Sequence, residues 1–421
     1  MAGAAASAPV HALNIAVQRL IDRSVGIPVC ALLSLFERLR PRREPFGPAS
    51  GPRRIVVILL SEMGSLVLAN AMFERLRRRY PTSELHVVLF AKNREALGLV
   101  RAAADAGAIE IDDRSAGRLA ATLWRALRTL WRLRPDVAID CELFARIGSI
   151  LAYLSGAAVR VGFERGTQEG LYRGSYINRP VIYNPYQHVS RQFLALVDAI
   201  GAGARPLAKA ADTEAPLAAP PFEFAPGEVA AAAEKLHRDF PALRGRRLVL
   251  VYPGGGILPI RAWPLAHFAE LCAALAGDGY AIGLTGLNVD RPLAEELAAR
   301  VGSPHCVSLA GYTRSVRELL ALIRAADLLV TNDGGPGQFA ALTPTPTIAL
   351  FGPETPLLYG SHAPNAHVFY RALPCSPCLT AYNHRNSPCD GDNQCLKQIA
   401  PAAVLAKARQ LLALERAQAD D

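Results

Sequence analysis

Thr331-Asn332-Asp333-Gly334-Gly335-Pro336-Gly337-Gln338-Phe339-Ala340-Ala341 is the stretch on which the fold turns. Before it runs Ala326 to Val330, a largely apolar segment that reads as a buried strand. After it come a small-residue helix and then Thr347 to Phe351, which reads as the next strand. A strand, a glycine turn and a helix start together form an anion site. Glycines admit close approach of backbone to a ligand, and the first helical N–H groups aim at it with the positive end of the helix dipole. A phosphate or diphosphate is therefore expected on Asp333, Gly334, Gly335, Pro336, Gly337 and Gln338, and a nucleotide-type substrate rather than a peptide or a lipid alone. The alternative is a tight turn chosen only for packing.

Outward from this motif, strands and helices alternate. In the second half, Leu248 to Tyr252 is a strand ending in Pro253-Gly254-Gly255-Gly256, and Ala281 to Thr285 is a strand ending at Gly286. Helices are expected over Pro264–Ala276 and Ser315–Ala325. In the first half, Ile55–Leu60, Glu84–Phe90 and Val137–Asp140 read as strands, and Leu66–Arg79 and Leu119–Leu133 as helices. This alternation predicts an α/β fold with two parallel, doubly wound sheets, whose ligands sit at the carboxyl ends of strands. The expected organisation is a helical extension over 1–50 and a first domain over 51–200. An Ala/Pro/Gly-rich linker over 201–226, a second domain over 227–400 and a final helix over 401–421 follow, the helix packing back on the first domain. Within the extension, residues 10–40 have helical apolar spacing, broken at Pro28, with Arg40, Arg42 and Arg43 behind. Two readings stand: a helix resting on an anionic membrane, or one packed on the body or on another subunit.

Four further groups bear chemistry. Gly254, Gly255 and Gly256, followed by Arg261-Ala262-Trp263-Pro264, offer backbone donors and a guanidinium that can clamp phosphate. Asp140 and Glu142 follow a strand and are candidate general bases, with a helix N-cap as the alternative for Asp140. Glu62, in Ser61-Glu62-Met63-Gly64-Ser65, is a third candidate base. Cys375-x2-Cys378-x10-Cys389-x5-Cys395 suits a structural zinc or iron better than disulfides in a cytoplasmic chain.

Composition narrows the classes. The 421 residues carry a formal charge of +9, which favours anionic partners. No Arg-rich tract interleaved with aromatics points to nucleic acid, and no Gly-x4-Gly-Lys-Ser/Thr loop points to ATP hydrolysis. No convincing secretory signal or membrane-length apolar run occurs, so a cytoplasmic location is expected; of the two readings of the extension, the first would add an inner-membrane surface as partner through residues 10–43. No Asp-x-Asp pair follows a strand, so departing phosphate charge is expected to meet helix N-termini and Arg261 rather than a catalytic metal.

These motifs resemble glycosyltransferase family 9, the ADP-heptose:lipopolysaccharide heptosyltransferases. Asp333 to Ala341 followed by Pro344-Thr345-Pro346 and Leu350-Phe351-Gly352-Pro353 is similar to the family's D-S-G-P-x-H-x-A-A and x-T-P-x-x-x-L-F-G-P segments. Tyr252-Pro253-Gly254 and Arg261-Ala262-Trp263-Pro264 resemble H-P-G and K-x-W-P. Gly286 to Asp290, just after Thr285, looks like a shortened G-x4-E, whose acid holds the ribose. The resemblance implies a GT-B fold of two Rossmann-like domains facing across a cleft. It also implies inverting, metal-independent transfer from a nucleotide-sugar donor such as ADP-heptose to an anionic glycan or glycolipid, with no catalytic cofactor. The chain departs from the pattern at Ser65, where the family carries its base, and at Gln338, where it carries histidine. The rivals are a non-catalytic sugar-nucleotide-binding scaffold and a nucleotide-sugar epimerase of the same shape. A homo-oligomer is compatible with each.

Overall fold

The computed structural model describes residues 20–39, 46, 51–60, 62–143, 145–163, 172–202, 216–256, 258–380, 387 and 389–420. Ser61, residues 1–19 and 40–43 of the extension, and 203–215 of the expected linker lie outside them.

The first sheet contains β1 (Arg54–Ile58), β2 (Glu84–Phe90), β3 (Gly107–Ile111), β4 (Val137–Asp140), β5 (Val159–Phe163) and β6 (Arg179–Val181), in the order β3-β2-β1-β4-β5-β6. The second contains β7 (Leu248–Tyr252), β8 (Ala281–Gly286), β9 (Cys306–Ala310), β10 (Leu328–Asn332), β11 (Thr347–Phe351) and β12 (Ala366–Tyr370), in the order β12-β11-β10-β7-β8-β9. Every pairing is parallel. The central strands are apolar on both sides because helices cover both faces. In β1, Val56 and Ile58 enter one core while Ile55 and Val57 enter the other. The expected pair of doubly wound, Rossmann-like units is present.

This topology locates the crevice. Strand order reverses between β1 and β4, which meet at Ile58 and Asp140, and between β7 and β10, which meet at Tyr252 and Thr331. Loops leaving these strands in opposite directions open a gap at the carboxyl edge of each sheet. Residues 59–65, 253–261 and 333–338 start there. One hydrophobic core runs across the domain boundary, joining Leu66, Phe73 and Leu97 to Leu322, Phe339 and Leu342.

Two expectations are corrected. Pro28 does not break the N-terminal helix. Residues 20–39 are helical throughout: a π-bulge over Asp22–Gly26 immediately precedes Pro28 and passes directly into the α-helix Ile27–Leu39, the kind of local widening that lets a helix carry a proline. The last helix, Pro401–Asp420, packs on the second domain, not the first. Val404, Ala408, Leu411 and Leu412 form its apolar stripe against the second core, and Arg409 pairs with Asp278 at 2.7 Å. Among the described residues no helix is long and apolar enough to cross a membrane.

The domains also meet through His188 and His362, whose rings lie 4.0 Å apart; His188 Nε2 contacts the Gly360 carbonyl at 2.8 Å. Burial, then the His362 ring, push His188 from 6.5 down to about 4, with Arg191 adding to the effect and the Gly360 contact opposing it. Between those values the unfolded chain binds the proton that the folded chain refuses. Stability from this residue is therefore complete above about pH 6.5 and is lost as pH falls through the folded value. The loss should reach about 3 kcal/mol. The urea midpoint of the native chain should drop more than that of His188→Gln between pH 6.5 and 4.5. Equal slopes for the two chains would remove the effect.

Candidate active site

At the mouth of the crevice stands Arg261, the last residue of a 3-10 turn over Pro259–Arg261. Its side chain is 4% exposed. A guanidinium buried to that degree needs carboxylates around it. Three supply them from three loops. Glu62, from the first domain, has Oε1 3.2 Å from Nη2. Glu354 Oε2 lies 3.4 Å and Asp333 Oδ2 3.8 Å from Nη1. Glu354 and Asp333 are buried, whereas the Glu62 side chain is one-third exposed. Burial and the neighbouring Glu354 charge hold the Asp333 carboxyl well above the usual carboxylate range, outweighing Arg261. A hydrogen bond to Glu354 adds to the rise.

Asn332, fully buried at the end of β10, ties the two glycine turns together. Its Nδ2 donates to the carbonyls of Pro253 (3.0 Å) and Gly254 (2.9 Å), and its Oδ1 accepts from the Trp263 N–H (2.9 Å). Glycine is needed in the first turn. A Cβ on Gly255 would lie 2.7 Å from the Leu258 carbonyl oxygen, and Gly256 has φ +63°. The turn wraps the Tyr252 ring, whose hydroxyl accepts from the Gly256 N–H and lies near Asp290.

The other expected donor-side residues are dispersed. Gly334 is extended and opens the short helix Gly335–Ala340, with Pro336 and Gly337 in its first turn. Gln338 is turned to the domain boundary. Its Nε2 donates to the Tyr359 carbonyl at 2.7 Å, and its Cγ would lie 2.9 Å from a Cβ on Gly64. Thr285 is buried within β8, and the Asp290 carboxylate accepts from the Leu287 N–H at 2.8 Å, closing its own turn.

Asp140 and Glu142 are sealed. Asp140 is fully buried, with Oδ2 2.9 Å from Arg173 Nη1 and Oδ1 accepting the Glu142 N–H at 3.0 Å. Burial pushes it up to about 7 against the pull of Arg173. Glu142 Oε1 accepts the Leu60 N–H at 2.6 Å, so this carboxylate holds the loop that carries Glu62.

The four-cysteine loop braces the site from behind. The N–H groups of Cys378 and Leu379 donate to the Pro353 carbonyl at 2.9 and 3.0 Å, and Asn393 Nδ2 donates to the Ile260 carbonyl at 2.7 Å. These contacts fix the residues immediately before Glu354 and Arg261. The tetrathiolate expected from the spacing is not assembled. Among the described residues no three His, Cys, Asp or Glu side chains are arranged to hold a metal ion. The four thiols differ in burial: Cys375 and Cys389 are exposed, Cys378 Sγ accepts from Ser387 Oγ at 3.0 Å, and Cys395 is buried, with its Sγ close against Gly352. Burial, with the charges of Cys378, Cys375 and Cys389, pushes Cys395 up to about 11.

Asn332, Glu354 and Arg173 were not singled out from sequence. Asn332 and Glu354 had a signal, each being a polar residue at the exit of an apolar strand run. Arg173 had none.

Comparison with known proteins matches these features. The model of the family described as Glycosyltransferase family 9 (heptosyltransferase) matches residues 123–387. Lipopolysaccharide heptosyltransferase 2 of Salmonella typhimurium is 26% identical, covering 86% of this chain and 99% of its own length. Lipopolysaccharide heptosyltransferase 2 of Escherichia coli is also 26% identical, covering 86% and 100%. In fold, the chain is similar to E. coli ADP-heptose lps heptosyltransferase II, with TM-score 0.67 and 23% identity over 86% of this chain and 99% of that one. It is equally similar to a glycosyl transferase family 9 protein of Veillonella parvula, with TM-score 0.67 and 19% identity over 86% and 97%. The two-sheet architecture is thus the GT-B arrangement that the sequence implied, and the chain belongs to glycosyltransferase family 9, as an enzyme of the heptosyltransferase type.

Proposed function

We propose that the enzyme transfers a heptose or similar sugar from a nucleotide-diphosphate donor, ADP-heptose or a near relative, to an anionic cell-envelope glycan or glycolipid. Transfer is inverting and uses no catalytic metal. The names of the relatives, lipopolysaccharide heptosyltransferases, support the sugar and the acceptor class. The observation that carries the mechanism is the contact of Glu62, from the first domain, with the buried Arg261 of the second at 3.2 Å.

In this mechanism the donor diphosphate takes the Arg261 guanidinium, which is the stronger partner for a phosphate fork. Glu62 is thereby released as a base and accepts the proton of the acceptor hydroxyl. That oxygen bonds the anomeric carbon on the face opposite the diphosphate. The bond from the anomeric carbon to the diphosphate oxygen breaks, and the departing charge meets Arg261 and the backbone N–H groups after Gly334. One displacement inverts the centre. Among the acids, Glu62 is preferred because its side chain is one-third exposed at the crevice, whereas Asp140 and Glu142 are buried in partnerships of their own. Asp140 and Glu142 position the 60–62 loop.

Ser65 supports a second reading, a family member that binds sugar nucleotide without turning it over. The two part on one assay. Glu62→Gln should lower kcat by about 10²–10⁴ while the donor KM stays within about threefold; an unchanged kcat removes Glu62 as base. Donor binding by calorimetry with no turnover in the native chain would favour the scaffold. Arg261→Ala should weaken donor binding by at least about tenfold, with Arg261→Lys intermediate. Arg173→Ala should act on stability instead, costing about 3–5 kcal/mol in urea unfolding by stranding the buried Asp140. A stable Arg173→Ala chain would show that this pair does not hold the first domain together.

A further inference from the structure

The helix Ala116–Leu133 carries two tryptophans on its solvent side, Trp124 at 55% and Trp131 at 44% exposure. They stack edge to face at 5.5 Å, and Trp131 Nε1 is anchored on the Leu154 carbonyl at 2.7 Å. Exposed Arg125, Arg128 and Arg132 are interleaved with them, and no acidic residue occurs between 116 and 135. On the same face of the first sheet, beyond the buried helix Ile147–Leu154, lies Ile27–Leu39. It turns Cys30 and Ser34 inward and leaves Leu32, Leu35, Phe36 and Leu39 exposed. Its segment, residues 20–39, contains two acids, Asp22 and Glu37. Both are turned to the body, paired with the buried Arg146 and Arg160, whereas Arg23 and Arg38 are exposed. Helices in one layer on a sheet present their outer sides in one direction. On these two segments the exposed side chains include tryptophan, leucine and phenylalanine, and every exposed charged side chain is an arginine.

We propose that this face lies on an anionic lipid bilayer. Tryptophan and arginine together suit the headgroup layer, with rings at the acyl boundary and guanidiniums on phosphate. The sign of the charge chooses among occupants. A second copy of the chain docked face to face would set arginine against arginine, which an isologous contact cannot relieve. A bilayer rich in anionic headgroups satisfies every arginine at once. The proposal deepens the reading of a glycolipid acceptor, because it holds the acceptor domain where such a lipid resides.

The test uses the full chain and phosphatidylglycerol-rich vesicles, with pure phosphatidylcholine vesicles alongside. The native chain should sediment with the anionic vesicles at least about tenfold more strongly than with the neutral ones, and raised salt should weaken it. Tryptophan emission should shift to the blue on binding. Trp263, the third tryptophan, is sealed in the second domain, so the shift reports Trp124 and Trp131. The triple variant Arg125→Ser, Arg128→Ser, Arg132→Ser and the double variant Leu35→Ser, Phe36→Ser should each lose about tenfold or more in vesicle binding. Both alter only exposed side chains, and far-ultraviolet circular dichroism verifies their folding. Transfer to a water-soluble acceptor fragment should persist in the triple variant. No vesicle binding by the native chain, an unshifted emission, or native-like binding by both variants overturns the proposal. So does an assembly in solution that the variants dissolve, which would assign the face to another protein. A chain that binds vesicles but transfers nothing leaves this surface standing and sinks the catalytic reading alone.

Discussion

A single guanidinium without water around it sets the geometry of this molecule's centre. Burying the Arg261 charge unpaired would be costly, so the chain brings carboxylates to it, and it does so from loops that belong to both domains. Each loop is then held by something farther back. Glu354 follows a residue pinned by the cysteine loop, Arg261 follows a residue pinned by Asn393, and the Glu62 loop hangs from Glu142. The long-range order of the site is the satisfaction of one desolvated charge, propagated through backbone hydrogen bonds.

The two domains solve the same problem with the same parts. Numbered within each domain, both sheets have the order 3-2-1-4-5-6. In each, a polar side chain leaving the fourth strand grips the loop leaving the first. Glu142 takes the Leu60 N–H after β4, and Asn332, ending β10, takes the Pro253 and Gly254 carbonyls. A doubly wound sheet opens its crevice between those two strands, and an open crevice leaves loop backbone groups without a ladder partner. A carboxylate or an amide at that position closes the account.

The fold was legible in the sequence because buried parallel strands are nearly unbroken apolar runs, and the first glycine turn was legible because backbone crowding at Gly255 and the positive φ of Gly256 disfavour any side chain. Acids were harder. Asp140 and Glu142 stand at a strand's carboxyl end, where a base and a structural carboxylate look alike. The partner of Asp140, Arg173, lies 33 residues on and has no local signature. The cysteine spacing suited a metal, yet the contacts the loop makes on the site run mainly through backbone N–H groups and Asn393, which spacing does not encode. The C-terminal helix misled for the same reason: it faces a neighbour, the second core, that sequence does not reveal.

The N-terminal helix combines two tasks on one rod. Its inner side supplies the carboxylates for Arg146 and Arg160, the Cys30 contact with Tyr176 at 3.2 Å, and the Ser34 oxygen that accepts from Ser175. Its outer side is apolar and bare. Cutting the helix away would leave two sunken guanidiniums without their counter-charges. The first domain therefore cannot be detached from its surface helix and stay intact, and whatever grips the outside of that helix also clamps the inside. Whatever is attached to the outside of that helix is thermodynamically coupled to the folding of the first domain, and the two are separable by substituting side chains on the rod but not by shortening the chain.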